Sequence, residues 1–95
     1  MCHAVNNATF ALQKKWPVSS SLMVPCPWFW EAVEFYREHP YLSVGLHLTL
    51  TSEWKRYKWR PLSGSNNVPS LCDKTGHFWS SVIDFKKHAK LNDVV

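Results

Sequence analysis

No apolar run in this sequence approaches the roughly 20 residues that a membrane-spanning helix needs, so no span is predicted. No basic patch followed by an apolar core marks a signal peptide, and the expected setting is soluble and cytoplasmic. Cysteine is sparse and odd in number: Cys2, Cys26 and Cys72 lie far apart, with no CxxC pair. That argues against a disulfide framework and for a reducing compartment. A zinc site drawn from Cys2, His3, Cys26 and Cys72 fits no usual spacing, and small buried hydrophobes are the simpler role for these thiols. Internal repeats and low-complexity tracts are missing, and an apolar content of 45% is too high for intrinsic disorder. No glycine-rich phosphate loop and no GxSxG-type nucleophile turn occurs. The carboxylates suggest no mechanism of their own: Glu31, Glu34 and Glu38 share one stretch, Asp84 and Asp93 lie near the tail, and only Glu53 and Asp73 fall between.

What remains is a chain of 95 residues, enough for one small domain with a modest core. Its net charge of +4 permits an anionic partner without demanding one. The cations gather at 55–60 and 86–90. The second cluster reads as the solvated face of a terminal helix. The first sits in WKRYKWR, residues 54–60, where rings interleave with cations. Such text offers stacking and phosphate contacts, but one short run outside any known module does not make nucleic acid an expected partner.

Periodicity predicts a helix over His3–Lys15, with Val5, Ala8, Phe10, Ala11 and Leu12 as its apolar stripe, Lys14 and Lys15 at its dipole-favoured end and Pro17 as its stop. Val18–Val24 reads as a short strand whose serines suit a face that meets something polar. A second helix is expected over Trp28–His39, on Phe29, Ala32, Val33 and Tyr36, with the Trp28-Phe29-Trp30 run packed into the core. Leu42–Thr51 is the clearest strand: Leu42, Val44, Leu46, Leu48 and Leu50 alternate with small or polar residues, among them His47. A long connection follows, with a hairpin turning at Asp73–Gly76, and then a final helix over Val82–Leu91. The order is helix, strand, helix, strand, long loop with hairpin, helix. That order implies an α/β fold with a parallel sheet, yet two strands leave faces and edges that something must cover. By sequence alone His47 reads as a strand histidine satisfied locally.

The runs MCHAVNNATF, SSSLMVPCPWFWEAV, HPYLSVGLHLTLTSEW and VPSLCDKTGHFW together resemble the YdjC-like carbohydrate deacetylase family, from Met1 to about Trp79, in order and with the family's spacing. The resemblance implies a fragment of a (β/α) barrel-like fold and a hydrolase that removes N-acetyl groups from amino sugars. It implies one divalent metal ion, Mg or Zn, held by an Asp and two His, with a second Asp as base. His47, in GLHLTLT, takes the place of the first metal histidine. Thr49 and Trp54 become substrate contacts at the mouth of the barrel, and Trp59 either joins them or, like Trp54, only packs the loop. His3, His39 and His77 remain structural or surface residues.

Two departures accompany the match. The family's paired aspartates fall immediately before the position of Met1. No later His-x-Asp-x-His-like segment occurs, and residues 81–95 diverge where 1–80 are family-like; His88 sits in KKHAK, a helical surface setting. With one metal ligand of three, this chain alone is expected to be inactive. The alternative is a non-catalytic remnant or a small sugar- or partner-binding module, able to associate with itself through open sheet edges.

Overall fold

The computed structural model describes residues 2–95, which divide into two compact units, one ending at Leu48 and one beginning at Thr49. In the first unit α1 (His3–Lys15) leads to β1 (Ser20–Leu22), α2 (Phe29–Glu38) and β2 (Val44–Leu46). The second holds a single 3-10 turn (Pro69–Leu71), α3 (Val82–His88) and α4 (Leu91–Val94).

α1 has the predicted bounds but not the predicted buried face. It buries Asn6, Phe10 and Gln13, spaced i, i+4, i+7, and leaves Val5 and Leu12 exposed. The polar members are buried because each finds partners on other elements, which offsets their desolvation. Gln13 Nε2 donates to the carbonyls of Val18 (3.1 Å) and Ser43 (2.8 Å). Its Oε1 accepts from the Tyr36 hydroxyl at 2.5 Å, which also lies 2.5 Å from Ser20 Oγ. One glutamine thus ties α1 to α2 and to the approaches of both strands. The serine-rich strand does meet something polar, through Ser20.

α2 contributes Ala32 and Tyr36 to the core, where Phe10 stacks on Phe35 at 3.8 Å and meets Tyr36 edge-on at 5.9 Å. Leu22 and Leu42 pack against this cluster. The Trp28-Phe29-Trp30 run is not core: Trp28 and Trp30 are 54% and 67% exposed, and only Phe29 is half-buried. The helix turns its Ala32–Tyr36 face inward, which carries the two indoles outward.

β1 and β2 pair in parallel, Ser20 opposite Val44 and Leu22 opposite Leu46, with α2 as the crossover helix between them. Both strands are shorter than predicted: Ser20–Leu22 in place of Val18–Val24, and Val44–Leu46 in place of Leu42–Thr51. Alternation along 42–51 is real, but a strand persists only where a neighbour takes its hydrogen bonds, and β1 reaches no farther than the bond from His47 N to Leu22 O. Leu46 and Leu48, expected on a buried aliphatic face, are 64% and 82% exposed.

Beyond Leu48 the chain turns to a second set of partners. Ser52 is fully buried; its amide donates to Trp79 O (2.8 Å), and its hydroxyl accepts from Trp59 N (3.1 Å). Trp59 is 2% exposed and donates its Nε1–H to Thr51 O; Leu71, Cys72 and Phe78 are the other buried apolar residues of this unit. The hairpin closes as predicted, with a bridge between Cys72 and Phe78 and Gly76 at φ 78°. Asp73 Oδ1 accepts from Thr75 N, Thr75 Oγ1 and His77 N, so one side chain organises the turn. The helix expected over Val82–Leu91 is α3 and ends at His88; Ser81 caps it by accepting from Asp84 N, and Ala89 is extended. Asp93, in α4, accepts from Ser70 N and Ser70 Oγ, fastening the tail to the 3-10 turn.

Candidate functional site

His47 is the first residue beyond β2, exposed, with its amide bonded to Leu22 O at 2.9 Å. In a parallel pair both strands end at the same edge, and α2 begins on the side where β1 ends. α1 begins there too, since it runs back to the start of β1, and contacts between His3 and the first turn of α2 confirm it. His47 therefore shares one end of the first unit with the N-termini of both helices, the end at which open and closed α/β sheets build their sites.

That end holds a polar cluster the sequence did not announce. His3 Nδ1 lies 2.5 Å from Glu31 Oε2, and Asn7 Nδ2 lies 3.0 Å from His3 Nε2. Buried Asn6 donates through Nδ2 to Glu31 Oε1 (2.9 Å) and to Trp28 O (3.0 Å). The Asn6 amide, with His3 beside it, holds the Glu31 carboxyl below its usual range against the opposing effect of burial. Trp28 itself stands in the left-handed region at φ 65°, and its ring rests against His3 with centroids 5.1 Å apart. The clue in the sequence was the spacing of His3, Asn6 and Asn7 on one helical face; the partners of His3 and Asn6 on α2 and before it are more than twenty residues away, beyond any local pattern.

Thr49 and Trp54, the expected sugar contacts, belong to the second unit. Thr49 is half-buried and lies outside any strand. Trp54 is 49% exposed and tilted against Tyr57 at 6.0 Å. Trp59 is packed beneath its loop, so of these two rings Trp54 alone is presented to solvent. Lys55, Arg56 and Arg60 are exposed, whereas Lys58 is half-buried and donates to Ser52 O.

The remaining histidines serve local structure: His39 Nδ1 meets Phe35 O, His77 joins the Asp73 turn, and His88 stacks on Trp79 at 4.1 Å. No disulfide joins the cysteines; Cys26 and Cys72 are buried, and burial pushes the Cys72 thiol up. Among the described residues no three His, Cys, Asp or Glu side chains gather as a metal site. A cavity of about 150 Å³ between α1, β1 and α2 is lined by Asn6, Phe10, Ser20, Leu22 and Tyr36 and is too small to enclose a sugar ring with its substituents.

Comparison with known proteins places these features in a family. A carbohydrate deacetylase from Enterococcus faecalis (strain ATCC 700802 / V583) is 36% identical over 93 residues, covering 96% of this chain and 34% of that protein. A crystal structure from Enterococcus faecalis V583, of a protein provisionally named for cellobiose-phosphate cleavage, superposes with a TM-score of 0.82 at 34% identity, covering 98% of this chain and 34% of that one. The chain thus spans about a third of the length of both relatives. The family model described as YdjC-like protein matches residues 1–95, and the chain belongs to that family.

Proposed function

We propose that the chain carries one part of the site of a metal-dependent carbohydrate deacetylase, a hydrolase acting on N-acetyl groups of amino sugars. The observation that supports this is the YdjC-like match over residues 1–95 together with His47 directly behind the C-terminal end of a parallel strand. His47 supplies one imidazole nitrogen, and the Thr49 hydroxyl and the Trp54 ring contact the sugar. The described residues do not fit a complete metal centre, because a divalent ion such as Mg or Zn takes at least two further protein ligands. Those ligands and the base aspartate belong to polypeptide beyond these residues. The barrel-like fold is part of the same proposal, with β1, α2 and β2 as one of its βαβ units. So is a cytoplasmic setting, in keeping with thiols that no disulfide joins.

On this reading the chain alone releases no acetate from an N-acetylated sugar, with or without added Mg or Zn. Turnover that disappears in His47→Ala would overturn the predicted inactivity. A longer polypeptide that supplies the carboxylates and second histidine yet leaves the sugar acetylated would overturn the deacetylase assignment.

A second reading, a non-catalytic module that binds a partner or its own copy along open sheet edges, draws on a different observation. The exposed Leu46 and Leu48 occupy positions that a covered parallel sheet buries.

A further inference from the structure

We infer that Trp28 is a sugar-stacking residue, presenting its indole face to the apolar face of an acetylated sugar ring at the end of the sheet where His47 lies. The inference rests on the carbohydrate reading above and adds a contact that reading does not contain.

The first argument is conformational. Among the described residues Trp28 is the only non-glycine residue with positive φ. A bulky side chain in the left-handed region is disfavoured relative to ordinary helical or extended backbone, and such positions persist only where surrounding structure holds them. Here the holder is Asn6, buried at 6%, whose amide reaches Trp28 O at 3.0 Å while also gripping Glu31. Glycine would occupy this conformation without strain.

The second argument is exposure. Strain of this kind is compensated in many cores by the burial of the strained side chain. The Trp28 indole is instead 54% exposed. Among the described residues the indole face is therefore open to a ligand.

The third argument is company. The ring is braced by the His3 imidazole, tilted by 43° at 5.1 Å, and His3 is itself braced by Glu31 and Asn7. A flat apolar surface with imidazole, carboxylate and amide groups at its rim is the arrangement that recognises a sugar: ring carbons lie on the indole and hydroxyls reach the polar edge. The location agrees, since Trp28 precedes α2 at the edge beyond which His47 follows β2.

The test is a titration of the 95-residue chain with N-acetylglucosamine, followed by the indole N–H cross-peaks in a ¹⁵N-labelled sample. Sorbitol, which has hydroxyls but no ring, is the control. Saturable movement of the Trp28 cross-peak with N-acetylglucosamine and none with sorbitol is the expected result. Trp28→Gly is the companion variant: it should melt no lower than the parent and lose the sugar response of the Asn7 side-chain amide. A lower melting temperature in Trp28→Gly would assign the ring to packing and overturn the inference. Movement of the Trp54 cross-peak with a motionless Trp28 would overturn it while leaving the carbohydrate reading intact. No movement of any cross-peak would overturn it together with sugar binding by this chain.

Discussion

Tyr36 and Gln13 show how single side chains hold the first unit together. The phenol is buried and its hydroxyl is shared between Gln13 and Ser20. Tyr36→Phe keeps the ring's packing and leaves Gln13 Oε1 without that donor, so it should destabilise by about 1–3 kcal/mol, read as a lower urea midpoint with an unchanged slope. Tyr36 was legible as a core residue from the helical spacing of α2; Gln13 was not, because nothing local distinguishes a glutamine whose partners lie 23 and 30 residues away. In the second unit Asp93 plays a comparable part. Hydrogen bonds from the Ser70 hydroxyl and amide hold its carboxyl below the ordinary 3.8. A depressed folded-state value means that the contribution is complete above 3.8 and drains away as pH falls through the folded value. Glu31, held below 4.5 by Asn6 and His3, adds an acid limb of the same sign that begins slightly higher. Stability should therefore fall once the pH drops below about 4.5. Asp93→Asn should cost more at pH 7 than at pH 3, so the gap between variant and parent, measured by thermal melts, narrows with acid.

At the level of elements, the first two helices were readable in their bounds, and the two strands in their place and parallel pairing but not in their length. α1 stops at Lys15 before Trp16 and Pro17, and α2 ends at Glu38 before His39 and Pro40, because proline and local capping act within a few residues. A strand has no such autonomy. The alternation from Leu42 to Thr51 promised ten residues of strand, but the ladder lasts only three, since its length is set by a partner the pattern does not specify. The hairpin was legible because its turn is local chemistry: Asp73 gathers Thr75 and His77, and Gly76 supplies the left-handed conformation. Gly76→Ala meets two obstacles there. Its φ of 78° disfavours a β-carbon, and that carbon would come within 3.1 Å of Ser65 Oγ and 3.3 Å of Arg60 Nη1. The expected loss is about 1–2 kcal/mol, with the largest drop in hydrogen-exchange protection at the Asp73 and Phe78 amides.

Across the whole molecule, composition bounds how much core a chain can have but not how that core is grouped, and here it gathers in two compact units. Of the candidate site, the place of His47 just past a strand was legible from the alternation along 42–51, while the His3–Asn6–Glu31 cluster was not, because Glu31 lies 28 and 25 residues from its partners. On the reading in which the chain binds its own copy, the exposed Leu46 and Leu48 are the surface it would use. Leu46→Lys places a charge on a short open sheet, the device natural edges use against pairing, and should shift the chain toward the monomer in sedimentation while leaving its helix content unchanged. The placement of the tryptophans has an optical consequence. Trp16, Trp28 and Trp30 of the first unit are all more than half exposed, whereas Trp59 is enclosed and half-buried Trp79 donates its indole N–H to Ser70 O. Iodide in solution should therefore extinguish the red-shifted emission of the first unit and of Trp54, leaving a blue-shifted remainder that comes from the second unit and reports its unfolding separately.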